Sequence, residues 1–141
     1  MAFSMQISSN IGEWMVRWNK RVAELEKKTK ATPNNVAEWG AKYAKSIAPK
    51  DTTAMAQSIS WTGTKQNTAM IYLRSGYTNP KDHKDVKKYA LIMHKTPLAR
   101  AKKIWYSGDP HYMFTVRKGA KKQFSANINT AIGEFLGKPK R

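Results

Sequence analysis

The chain of 141 residues has no cysteine, which excludes disulfides and thiolate metal sites without identifying a compartment. It is also poor in acid, with 9 Asp plus Glu against 26 Lys plus Arg and a formal net charge of +17. An isolated compact domain at that charge repels itself, so an anionic partner is expected. No stretch approaches the ~20 uninterrupted apolar residues that cross a bilayer, and no membrane partner is expected. The opening MAFSMQISSN lacks a basic start followed by an apolar run. No secretory signal is expected, and the protein should stay in the cytosol or in something assembled there. A glycine-rich phosphate loop, a serine in a nucleophile elbow and a cysteine nucleophile are all missing. His83, His94 and His111 are the only histidines, and none has a second ligand at the spacing of a known metal site. Asp82 and Asp85 flank His83, but inside a lysine-rich stretch that makes a poor cage for a cation. No catalytic, cofactor or metal site is expected, and therefore no enzyme.

What is present has about the length of a single domain, 1–141, able to bury roughly two thirds of its unfolded surface around one core. The positive charge is uneven. Residues 1–48 carry 8 basic and 4 acidic side chains, whereas residues 81–122 carry 12 and 3, so that segment alone holds +9 of the +17.

Asn10, with Glu13 three residues on, precedes an apolar series at Ile11, Trp14, Met15, Trp18, Val22 and Leu25. That pattern predicts a first helix over about 11–28. The expected place for Trp14 and Trp18 is the core, the alternative being a helix face that meets a neighbouring subunit. Thr32 as N-cap and Pro33 at the first helical position open a second helix carrying Val36, Trp39, Tyr43 and Ile47, which Pro49 ends. Gly40 inside it implies a close packing contact. Ile59 and Trp61, then Ala69, Ile71 and Leu73, alternate with other residues and predict an antiparallel hairpin turning around 65–67.

Residues 75–88 read as a long exposed loop, of the kind that orders on contact with a partner. Tyr89 to Met93 forms a short apolar element, and Ile104 to Tyr106 and Tyr112 to Val116 are strand candidates. A last helix is expected from about Lys118 to Leu136, stopped by Gly137, with a basic tail at 138–141. The expected class is α+β: two N-terminal helices, a small antiparallel sheet, and a C-terminal helix packed on it.

The run Asp51-Thr52-Thr53 has the start of an aspartic-protease turn, but such enzymes follow Asp-Thr with glycine beside a buried carboxylate dyad. The preceding segment is helical, so a capping role for Asp51 or Thr52 on a short turn through 54–57 is expected instead. Lys84, Lys87, Lys88, Arg100, Lys102, Lys103, Arg117, Lys118, Lys121 and Lys122 are candidate contacts to DNA or to an acidic protein. Tyr89, Trp105, Tyr106 and Tyr112, interleaved with them, could stack on bases. No helix-turn-helix, zinc or aromatic RNA-binding signature accompanies the charge, so any DNA contact would be sequence-independent.

The run AKSIAPKDTTAMAQSI, then YALIMHKTP, then DPHYMF ahead of a final helix, resembles the tail-completion, or head-to-tail joining, proteins of tailed bacteriophages. Ala48, Pro49, Asp51 and Thr52 match that family's turn, and Ser58 and Ile59 its strand opening. Tyr89 and Ala90 match a middle strand that Thr96 ends, and Pro110 and Phe114 match the approach to the last helix. Thr53 replaces the family's glycine, so positive φ is not expected there, and His94-Lys95 stand where the family has an acidic residue and glycine. The resemblance implies a virion structural protein without catalysis. It would form a ring, often six-fold, between connector or head-completion proteins and the tail tube, with packaged DNA in the channel as a further contact. The alternative is a small DNA-binding protein acting alone through its basic surface.

Overall fold

The computed structural model describes residues 2–50, 53–64, 67–79, 83–105 and 107–137, with side chains from residue 11 onward. The order is α1 (Ala2–Ile47), α2 (Ala54–Ser58), β1 (Ile59–Gly63), β2 (Ala69–Leu73), α3 (Val86–Lys95), α4 (Leu98–Ile104) and α5 (Tyr112–Phe135). This is a mostly helical α+β arrangement with a two-stranded antiparallel sheet and a C-terminal helix. Asp51, Thr52, Tyr106 and the tail 138–141 lie outside the described residues.

The two expected N-terminal helices are one. Thr32 does not cap a new start; its hydroxyl donates to the Lys28 carbonyl at 2.9 Å within the continuing helix. Pro33 withholds one backbone N–H from α1, a cost of about 3 kcal/mol in a helix interior. Strong helix formers on both sides, and the burial of Val36, Ala37, Ala41 and Ala44 in the turns that follow, offset it. The same step is nevertheless a boundary. The chain forms two compact units, Met1–Thr32 with Ser125–Arg141, and Pro33–Phe124.

In the first unit Trp14 stacks on Trp18 with centroids 5.4 Å apart, and Trp18 meets the Phe135 ring edge-on at 5.1 Å. Arg21 lies over Phe135 and donates to its carbonyl, while Lys28 pairs with Glu134. Little is buried: among the described residues of this unit only Thr32 and Ala131 are inaccessible.

The second unit holds the core. Ala41, Ala44 and Ala48 of α1 and its end pack with Met55, Ile59, Val86, Ala90, Met93, Ala101, Trp105, Tyr112 and Val116. Alanine on α1 lets its neighbours approach closely, and Gly40 carries this furthest. A Cβ there would lie 2.5 Å from Ile71 Cδ1 and 3.3 Å from Val116 Cγ1, so β2 and α5 rest on the bare backbone of α1.

The hairpin forms as the alternation predicts, with Ile59 opposite Leu73 and Trp61 opposite Ile71. These four side chains belong to or pack on the core, while Met70 on the other face is exposed. Before the hairpin, Thr53 has φ 59, against the expectation drawn from its replacing glycine. The turn keeps the left-handed geometry with a β-branched residue in place, at a cost of about 1–2 kcal/mol.

Three strand expectations fail for one reason, which is helical capping and spacing. The segment Tyr89 to Met93, the middle strand of the resemblance, lies in α3. Asp85 caps that helix by accepting the Lys87 N–H at 2.9 Å, and Val86, Ala90 and Met93 bury one face. Ile104 ends α4 instead of opening a strand. Tyr112 to Val116 is the first turn of α5, because Asp109 accepts the His111 N–H at 2.9 Å and the Thr115 hydroxyl, while Tyr112 and Val116 enter the core one turn apart. The last helix therefore starts at Tyr112, six residues before the expected Lys118. Residues 77–78 pair with residues 85–86: Thr78 bridges Asp85, and the Val86 N–H reaches the Tyr77 carbonyl at 3.0 Å.

A lysine-lined cleft and a basic face

All ten basic candidates are exposed, but they come from three places. Lys84 lies just before α3, and Lys87 and Lys88 lie in its first turn, where the Lys87 ammonium donates to Ser75 Oγ at 3.0 Å. Arg100, Lys102 and Lys103 are on α4, and Arg117, Lys118, Lys121 and Lys122 on α5. Among the described residues the ion pairs within 4.0 Å are Lys28–Glu134, Lys30–Glu26 and Lys42–Glu38. None of the seven cations of α4 and α5 is neutralised by such a pair.

Lys102 and Lys118 converge on a cleft of about 590 Å³ in the second unit, and Lys50, just past the end of α1, joins them. Its wall is the segment 107–109, held against the end of α1. The Asp109 N–H donates to the Ile47 carbonyl at 2.7 Å, and the Lys50 N–H donates to Ser107 Oγ at 3.1 Å. Gly108 makes this approach possible, because a Cβ there would lie 2.7 Å from the Ile47 carbonyl oxygen. Asp109 also lines the cleft, its Oδ1 accepting the His111 N–H and its Oδ2 the Thr115 hydroxyl, so one carboxylate stands against three lysines there. Three cations converging on one concavity favour a polyvalent anion.

The three described aromatic candidates do not form a stacking platform. Trp105 and Tyr112 are buried, and Tyr89 packs edge-on against Trp105 at 6.0 Å. Tyr112 donates to Met55 Sδ at 3.2 Å, and burial pushes its hydroxyl above the ordinary tyrosine range. The ring exposed at the cleft is Phe114. Beside it His94 and His111 stack at 6.0 Å. His94 Nδ1–H donates to the Ala90 carbonyl and Nε2 accepts the Met113 N–H at 3.1 Å, which fixes the neutral tautomer; burial holds its pKa below the usual value. His111 Nε2–H donates to the Thr96 carbonyl at 2.7 Å. Among the described residues no three His, Asp or Glu side chains are placed to hold a metal ion, and no helix is long and apolar enough to cross a membrane.

Of the residues that carry the phage resemblance, Ala48, Pro49, Ser58, Ile59, Ala90 and Pro110 are buried in the second unit; Tyr89 is half-buried and Phe114 exposed. Sequence reasoning reads Ser107 to Pro110 as a turn, but it assigns neither that turn nor Lys50 to a site. A second concavity of about 490 Å³ in the same unit is apolar, lined by Pro33, Val36, Ile71, Met113, Val116 and Phe124 among others. No family model, curated protein or solved structure matches the chain.

Proposed function

We propose that the chain is a structural virion protein of a tailed bacteriophage. In this reading it forms a closed ring, six-fold by the resemblance, at the head-tail interface or tail end. There it completes the tail or joins it to the connector, and it performs no catalysis. The observation that carries assembly is the apolar stripe on α1. Ile11, Trp14, Met15, Trp18 and Val22 are 40–56% exposed, where the core was the expected place for the tryptophans. Contiguous apolar surface of this kind marks an interaction site, and tryptophan is enriched among residues that dominate interface energies. A stripe on one copy that meets a different surface of the next is a heterologous contact, which generates a ring when the rotation closes.

The place in the virion rests on the motif resemblance, and two features support it. Thr53 takes a left-handed conformation at the turn position that is glycine in the family. The buried motif residues, far apart in sequence, all belong to the second unit. The test is particle mass with and without tail-tube or connector protein. A discrete ring in either state is expected, and a monomer under all conditions contradicts the proposal.

A second reading, a sequence-independent DNA-binding protein acting alone, is favoured by the seven exposed cations of α4 and α5, which have no carboxylate partner among the described residues. A stand-alone DNA binder loses affinity steeply with salt and never assembles.

A further inference from the structure

We infer that the cleft formed by Lys50, Lys102 and Lys118 is a seat for the phosphate backbone of duplex DNA. Other copies of the chain, with 9 carboxylates for 26 cations each, cannot be the source of the anion. Of its nine carboxylates, Glu26, Glu38 and Glu134 pair with lysines of the same chain. The few that remain cannot neutralise 26 cations, so the compensating charge is foreign.

The arrangement of the cations then favours a polyanion of regular spacing over a single acidic side chain. Lys50, Lys102 and Lys118 reach one concavity from three separate elements. From the cleft the charge continues along α5, where Lys118, Lys121 and Lys122 stand at i, i+3 and i+4 on one exposed face. Lys118 and Lys121 are about 4.5 Å apart along the helix axis, comparable to the ~3.4 Å per phosphate along one DNA strand, so a backbone entering the cleft meets further cations along α5. Ser107, whose Oγ already accepts the Lys50 N–H, retains its hydroxyl proton as a donor for a phosphate oxygen. Asp109 is the one carboxylate among the described residues of the lining, and with its oxygens held by the His111 N–H and the Thr115 hydroxyl the three lysines leave the lining net positive. None of these groups reads a base edge, so the contact is indifferent to sequence.

The inference gives a site to the basic surface of the second reading and does not depend on ring formation. Its test is fluorescence anisotropy of the full chain with a mixed-sequence 20-base-pair duplex across a salt series. K50Q/K102Q/K118Q is compared with R17Q/K20Q/K27Q, which removes the same charge from exposed positions of α1 outside the cleft. Three lost phosphate contacts predict that the slope of log affinity against log salt shrinks by about 2.7 in the cleft variant and by far less in the control. K50R/K102R/K118R should keep the wild-type slope. Equal slopes for the two neutralised variants overturn the site while leaving DNA binding in place; no binding by the wild-type chain removes both. Stronger competition by a poly-glutamate peptide than by DNA of equal charge overturns the site in favour of an acidic protein partner.

Discussion

Gly108→Ala places a methyl group 2.7 Å from the Ile47 carbonyl oxygen and 2.8 Å from the carbonyl carbon and oxygen of Ala48. These are backbone atoms at the end of α1, so they cannot rotate aside as a flexible side chain would; the segment 107–109 has to withdraw. Withdrawal breaks the Asp109 N–H bond to the Ile47 carbonyl and loosens the Lys50 N–H bond to Ser107 Oγ. At about 1 kcal/mol net for each bond, rising to 1–3 kcal/mol where a donor is stranded, the loss is about 2–4 kcal/mol. At roughly 4 °C per kcal/mol for a chain of this size, the melting temperature falls by about 8–15 °C. Gly133→Ala is the matched control. It also adds one methyl inside α5, but nothing lies within 4 Å of its Cβ, so it should gain up to about 1 kcal/mol from helix propensity. Thermal melts followed by circular dichroism at equal protein concentration decide the matter. A Gly108→Ala protein melting with the wild type refutes the proposed close approach of the cleft wall to α1.

Thr53→Gly should relieve about 1–2 kcal/mol of left-handed strain against about 0.5–1 kcal/mol of added unfolded-chain entropy, a net gain near 0.5–1 kcal/mol visible as a higher urea midpoint. The folded pKa of His94 is depressed, chiefly by burial, with His111 and Asp109 as the neighbouring charges. The unfolded chain therefore binds its proton first, and stability is fully present above about pH 6.5 and lost as pH falls below it toward the folded pKa. Urea midpoints of wild type and His94→Gln across pH 7.5 to 5.5 check this, with a flatter profile expected for the variant.

Much of the second unit could be read from the residues because each signal was local. Alternation at Ile59, Trp61, Ile71 and Leu73 specified a hairpin and its inner face. Gly40, unfavourable inside a helix, marked a close contact that Ile71 and Val116 supply. The missed helices had apolar positions too short in run to separate a strand from a helical turn; Tyr112 and Val116 fit either until Asp109 is seen to cap. Thr32-Pro33 has the composition of a helix start, but packing after it overrode propensity, and the pair marks a unit boundary within one helix. The cleft was the least accessible to sequence reasoning. Lys102 and Lys118 were named for their charge, whereas Lys50 lies outside the basic segment and meets them only through the fold.

In the proposed assembly the exposed apolar stripe on α1 joins neighbouring copies. Particle mass in solution, measured for the wild type and for I11S/W14S, tests it most directly, because both side chains are more than half exposed and their loss leaves the core of the second unit intact. Truncating an interface tryptophan costs about 2–4 kcal/mol, at least roughly 30-fold in affinity per contact. The wild type, alone or with tail-tube or connector protein, should give a discrete multiple of the chain mass, and the variant should dissociate with its helix content unchanged. A wild type that stays monomeric in every mixture, or a variant that retains the same particle, contradicts the claim.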